Sequence, residues 1–411
     1  MASSLTSASS PTSYITERSP GKYGGMQKDY AFQSKRAIEA AKIQISIGVS
    51  EGKDITALFH EVLHELASAR QRIAADHRTK FSECFGRKRD LSPSPEDLAR
   101  GVKAQFIGAF TLLTGKEYSE YNSLFLDRLR LVLNTLKHDI RGFSETTYEE
   151  TKKVLGLVNK FSAEVLTGES LLRLGAIPTI EELNAAITIE GDKPINIIDF
   201  TNSREAMLSL KSSAPDLYKR LRMSHYLRAL AIECPSPNQI RTDSGEIILE
   251  GNPGNLKSMY VLATNRLELD GKLYAMSQYL TWMYCNYSQD PVDRMVKHSK
   301  VMVIHQDTFL IETTLKNIAK IFKESVLWNR DKESLVDLKN KVALLRYEFA
   351  HNMPFIRGSA AIAEWLEAAI YHYHGFTEFH HSKTSLSDLE ALTSLTLEDF
   401  MKRYDRTIAL A

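Results

Sequence analysis

Phe349-Ala350-His351-Asn352-Met353-Pro354-Phe355-Ile356-Arg357-Gly358-Ser359-Ala360-Ala361-Ile362-Ala363-Glu364-Trp365 is the stretch on which the reading of this chain turns. One helical pattern, 332–351, runs into it and a second, 359–374, leaves it. Between them sits a short loop built from Pro, Phe, Arg, Gly and Ser. Gly358 permits the tight corner, and Ser359 can cap the second helix. The expectation is a helix–loop–helix corner with Phe355 and Trp365 in the core. Such a corner sets Arg357 against the free N–H groups of a helix start, which carry partial positive charge and bind anions. Arg357, Gly358, Ser359 and Ala360 are therefore the candidate phosphate-binding residues. For proton transfer the first candidate is His351, with Glu364 to orient it and His374 as the alternative base. A base must come within hydrogen-bond reach of the proton it takes.

Outward from the corner the chain reads as helical. Asp54 can cap a helix whose apolar face is Ile55, Leu58, Phe59, Val62, Leu66, Ala69 and Ile73, a three- and four-residue spacing. Ser92-Pro93-Ser94-Pro95 interrupts the pattern, and Ser94 caps a further helix carrying Leu98, Val102, Phe106 and Phe110. Residues 117–141 and 146–166 read as two more. Thr179 and Glu182 have capping-box spacing. Ile195–Phe200 is a short strand or a buried turn. Ile240–Glu250 places a polar Asp-Ser-Gly turn beside a β-branched run, the mark of a hairpin. Helical patterns return over 256–286 and 291–324, and in two short segments after Ser385. Tyr279, Trp282, Met283, Tyr284 and Tyr287, at helical spacing, read as core. The expected fold is all-α, a multi-helix globular chain with at most one small β-hairpin at about 240–250 and a disordered N-terminal tail. Its expected organisation is a tail over 1–27, an N-terminal helical region over 28–175, and a C-terminal helical region over 176–411 that holds the hairpin and the anion-binding loop.

Of the 411 residues, 43% are hydrophobic and 25% charged, and the net charge is +1. That balance supplies no basic surface for nucleic acid, so no nucleic-acid partner is expected. Cys84, Cys234 and Cys285 are odd in number and far apart, which argues against a disulfide framework or a cysteine zinc site. No apolar run is long enough for a transmembrane helix. Residues 1–26 are rich in Ser, Thr, Pro and Gly, and the first acid is Glu17. A segment of this composition cannot bury enough surface to fold. Three readings fit it: a plain disordered tail, an export signal of injected bacterial effectors, which it resembles, and an organellar transit peptide, for which it is poor in Arg. That resemblance implies delivery into a host-cell cytoplasm and a host protein as target.

The corner itself is similar in layout to the active-site motif of Fic proteins, which move nucleotide or phosphate groups onto protein hydroxyls. Pro354-Phe355 follow a helix as in that motif, Gly358 falls at the first loop glycine, and the second helix ends near Gly375. Met353 stands where the family has its general base, Ala361 where it has the phosphate-binding arginine, and Ser359-Ala360 where it has Asn-Gly. The resemblance implies a transferase using a nucleotide, ATP-like and with Mg, with the hairpin at 240–250 as a target-docking flap. His351 or His374 and Arg357 would supply what the substitutions remove.

Two other readings arise. His60-Glu61-Val62-Leu63-His64 places two histidines one helical turn apart, a spacing that can share a zinc while Glu61 acts on bound water. Glu117 or Glu120 would complete the set, making a metal-dependent hydrolase or phosphodiesterase. The other reading is a non-enzymatic helical interaction module. Five of the 12 histidines, His351, His372, His374, His380 and His381, lie near the corner and could line the same pocket as Arg357. No Walker loop, Rossmann fingerprint or G-x-S-x-G elbow occurs.

Overall fold

The computed structural model describes residues 24–79, 81–89, 109–113, 161–166, 178–187, 200–201, 203–233, 239–241, 247–249, 258–269, 271–284, 300–381, 387–394 and 397–410. Among them the helices are α1 (Gly24–Ser50), α2 (Ile55–Asp76), α3 (Ile180–Ala186), α4 (Arg204–Ser213), α5 (Pro215–Glu233), α6 (Ile311–Val326), α7 (Leu335–Asn352), α8 (Ser359–Tyr373), α9 (Ser387–Thr393) and α10 (Leu397–Thr407). The strands are β1 (Phe110–Leu113), β2 (Phe161–Leu166), β3 (Gln239–Arg241), β4 (Ile247–Leu249), β5 (Ser258–Leu269), β6 (Lys272–Tyr284), β7 (Lys300–Ile304), β8 (Phe379–His381) and β9 (Ile408–Leu410).

The helical corner forms where the sequence puts it. Ser334 and Asp337 close a capping box at the start of α7, and α8 begins after a short loop. The Asp54 carboxylate accepts from Ala57 N at 2.8 Å and starts α2, whose buried face contains all seven residues of the expected stripe. Thr179 and Glu182 also form their capping box, and β3 pairs with β4 in the expected hairpin. The helix α1 begins at Gly24, inside the segment read as tail. The rest of that tail, the segment after Ser94, 117–141 and most of 146–166 lie outside the described residues.

The all-α expectation fails in the middle of the chain. A five-stranded antiparallel sheet runs in the order β1-β7-β6-β5-β2. Within 256–286, read as one helix, Ser258–Leu269 and Lys272–Tyr284 are instead the strands of the long hairpin β5–β6. Phe110 and 161–166 are strand, and Lys300–Ile304 lies in strand before the helix α6 begins at Ile311. The physical reason is burial on both faces. Ala263, Met276, Tyr279, Val301 and Val303 point into the main helical core. The alternate residues Leu262, Leu280, Met302 and Ile304 pack with Met223, Tyr226 and Leu227 of α5. A strand covered on both sides reads as a continuous apolar run, and periodicity alone cannot separate it from a buried helix. The turn did carry a signal. Leu269 pairs with Lys272, Gly271 takes φ +74°, and Asp270-Gly271 is a sequence that favours two-residue hairpins.

The helix α7 is the axis of the C-terminal half. It packs against α6, α8, α9, α10 and β6. Tyr347 ties it to the sheet, accepting from Asn265 Nδ2 at 2.8 Å and donating to Ser394 O at 3.2 Å. The helices α1 and α2 pack on α8 from the other side. No helix among the described residues is long and apolar enough to cross a membrane.

Candidate functional site

The corner between α7 and α8 is held from outside by residues 81–89. Gly86 N donates to Arg357 O at 3.0 Å, Arg357 N to Cys84 O at 3.2 Å, Ile356 N to Arg87 O at 2.8 Å, and Arg89 N to Pro354 O at 3.0 Å. The Arg89 side chain is fully buried. Its Nε donates to Met353 O at 2.6 Å, and its Nη2 to Gln306 O at 2.8 Å and Asn352 O at 2.7 Å. A guanidinium thus takes up carbonyls that a helix C-terminus would otherwise leave without donors, with the favourable sign of charge for that end. The loop inside this clamp is strained at Met353, whose φ is +44°.

At the far side of the loop Gly358 sits at the N-cap of α8 with φ +89° and offers no side-chain cap. The Ser359 hydroxyl turns back, accepting from Phe355 N at 3.1 Å and donating to Phe355 O at 3.2 Å. There is no acidic residue in the first turn of α8 and no side chain caps its N-terminal amides, while Ala360 is exposed and Ala361 half-buried. Arg357 is exposed, its guanidinium carbon 5.5 Å from the Phe81 ring centre and 5.8 Å from that of Phe85. Gly358, Ser359, Ala360 and Arg357 therefore come together as the sequence suggested.

The expected bases do not join them. His351 is fully buried; its Nε2 meets Ala391 O at 3.1 Å and its ring packs 4.4 Å from Tyr347. Burial holds its pKa down to about 3, so the ring is neutral at physiological pH and presents nothing to the loop surface. His374 lies at the opposite end of α8, a helix of 15 residues, and so about 24 Å from Gly358. Its Nε2 meets Ser325 O at 2.8 Å. His351 and His374 therefore do not gather around Arg357. Glu364 is closer, one and a half turns into α8 and part-buried, with its charge felt by Tyr30 and Asp388.

Sequence reasoning missed a cluster of buried polar groups that reaches the first turn of α8 through Arg346. Arg346, on α7, is almost wholly buried. It donates to Ala360 O at 3.3 Å and stands 3.6 Å from Glu367 and 3.8 Å from Asp388. The Tyr404 hydroxyl donates to Glu367 and meets that of Tyr371 at 3.1 Å. Burial raises the Asp388 carboxyl above its usual range, opposed by Arg346, while its side chain keeps 27% of its surface open. A carboxylate that is poised upward and still reachable is what proton transfer requires. Asp388 lies in a short helix that no local motif marks.

The His60-x-x-x-His64 pair forms on α2, but His60 is half-buried, packed at 5.2 Å against the Phe59 ring, with its pKa lowered by burial and Lys88. His64 is exposed, and Glu61 pairs with Lys53 at 3.3 Å. Among the described residues no three His, Cys, Asp or Glu side chains converge as a metal set; Glu117 and Glu120 lie outside them.

Residues 271–409 match the AvrB_AvrC family model, described as avirulence protein. This is a family of bacterial effectors. The matched segment runs from the start of β6 to β9 and contains the whole corner, Arg346 and Asp388, whereas the 81–89 clamp comes from outside it. The match supports an effector-like chain and is not a match to Fic proteins. No curated protein matches the sequence.

Proposed function

We propose that this chain is a bacterial effector that acts on a host protein in the host-cell cytoplasm, and that the α7–α8 corner transfers a phosphate-containing group to, or removes one from, a protein hydroxyl. The observation that carries the reading is the exposed Arg357 beside the uncapped, acid-free N-terminus of α8. Arg357 and the amides following Gly358 hold the phosphate. Donors fixed before the reaction stabilise charge that develops on phosphoryl oxygens at no cost of reorganisation. Asp388 takes the role first given to His351. It accepts the proton of the attacking hydroxyl as the new oxygen–phosphorus bond forms and the bond to the leaving phosphate breaks. Arg346 holds Asp388 in place and links it to the first turn of α8. The layout similar to the Fic motif supports a nucleotide, ATP-like and accompanied by Mg, as donor.

The test is transfer of label from ATP, GTP, CTP, UTP or NAD onto protein in a eukaryotic lysate, with Arg357→Ala and Asp388→Asn alongside. Label on a protein band that disappears in both variants is the expected result. Label that persists in Arg357→Ala removes the site assignment, and absence of label with all five donors removes the transferase reading.

A further inference from the structure

Arg70 lies on the inner side of α2, in contact with the corner. Its guanidinium carbon stands 4.2 Å from the centre of the Phe85 ring and 5.5 Å from that of Tyr30. Its Nε is closed off from solvent without a hydrogen-bond partner. Among the described residues it forms no ion pair with a carboxylate, and the one charge partner acting on it is the Tyr30 phenol. Burial lowers its pKa, which means that the charged form is under-compensated where it sits.

Arg357 approaches the same Phe85 ring, at 5.8 Å, and it too lacks a carboxylate partner among the described residues. Two guanidiniums are thus assembled around one aromatic ring without an anion between them. The ring faces compensate each cation only in part, by roughly 0.5–2 kcal/mol, and the like charges repel. The backbone keeps this arrangement tight. A Cβ on Gly358 would lie 2.8 Å from Arg70 Cγ and 3.4 Å from Phe85 Cδ1. The residue that opens the N-terminus of α8 must therefore be glycine for Arg70 to lie against it.

We infer that Arg70 is the second anion-binding residue of this site, and that Arg70 and Arg357 together take a phosphate dianion at the N-terminus of α8. This rests on the reading of the corner as a phosphate site and deepens it. The charge count selects the ligand: two cations lacking counter-ions are balanced by a dianion, and guanidiniums bind phosphoryl oxygens in forked pairs. It also gives the N-terminal helices a role in the site. The α1–α2 pair brings a residue from outside the family-matched segment to the loop that segment provides.

The experiment is isothermal titration of the full chain with inorganic phosphate and, in a separate arm, pyrophosphate, at pH 7.5 and constant ionic strength. Wild type, Arg70→Met, Arg70→Lys and Arg357→Met are compared, with thermal melting of each to establish folding. We expect Arg70→Met to weaken binding at least tenfold and Arg70→Lys to recover only part of it, since a point charge replaces a fork. The stronger of the two arms distinguishes a monoester-type from a diphosphate-type ligand, and saturable, Arg70-dependent binding in either arm supports the inference. Binding by Arg70→Met equal to wild type, with loss in Arg357→Met, overturns it and leaves the transfer reading in place. Wild type that binds neither anion also overturns it, and the label-transfer assay then decides the reading of the corner separately. Should Arg70→Met melt early, Arg70→Lys carries the decision: affinity equal to wild type in that variant overturns the forked contact.

Discussion

Glu348, one turn before the corner on α7, offers a quantitative test of how its surroundings are built. Its carboxylate is 2% exposed and is held by a single donor, Asn317 Nδ2, at 2.9 and 2.8 Å from its two oxygens. Burial raises its pKa from 4.5 to about 7, against the Asn317 hydrogen bond. The folded chain therefore keeps a proton that the unfolded chain has released. The stabilisation from this group is complete below the unfolded value and is lost as pH rises through 7. The full gap corresponds to about 3 kcal/mol, and between pH 5 and pH 8 about 2.5 kcal/mol of it is lost. Glu348→Gln keeps the shape and the acceptor for Asn317 but cannot ionise. Its new N–H costs about 1–3 kcal/mol if it finds no acceptor, a cost that is the same at every pH. Urea unfolding of both proteins at pH 5 and pH 8 isolates the ionisation, because every other titrating group cancels in the difference. The stability of Glu348→Gln relative to wild type should rise by about 2–3 kcal/mol between the two pH values. A difference that stays constant within about 0.5 kcal/mol would show that the carboxylate is hydrated, and would refute the argument from burial.

The same contacts set further outcomes. Arg89→Met removes the donors to Met353, Asn352 and Gln306 carbonyls and should cost at least about 3 kcal/mol in denaturant unfolding, since bonds to a charged group contribute about 1.5–3 kcal/mol each; a loss below about 1 kcal/mol would mean that the clamp is not needed. Gly358→Ala must hold φ +89° and bring a Cβ to 2.8 Å from Arg70 Cγ; a loss of about 1–3 kcal/mol is expected, and a melting temperature equal to wild type would contradict the close approach. His305 and His351 both have pKa values near 3, lowered chiefly by burial. Their stabilisation is present above the unfolded value of 6.5 and is lost as pH falls toward 3, so His351→Phe should flatten acid unfolding below about pH 6, followed by circular dichroism. An acid limb as steep as that of wild type would assign it to other groups.

Local grammar was legible in the sequence. Asp54 and Thr179 cap helices because short polar side chains reach backbone N–H groups within their own turn, and that is decided by neighbours along the chain. The corner at 353–359 formed for the same reason, since proline and glycine act on backbone they directly join. The strands were hidden because their two faces meet different layers, the helical core and α5, and only the third dimension separates an alternating pair of buried faces from a helix buried all round. The site divides along the same line. Arg357 and the open start of α8 belong to one contiguous stretch. Asp388 and Arg346 lie 31 and 11 residues away in sequence from Arg357, and Arg70 and Arg89 lie more than 260 residues before it. Each looked like an ordinary polar position on its own segment, and tertiary packing alone set Arg70 and Arg89 against the loop and Asp388 beside Arg346. The same packing withdrew His351 from that surface, because a buried histidine and an exposed one are identical in sequence and differ only in what covers them.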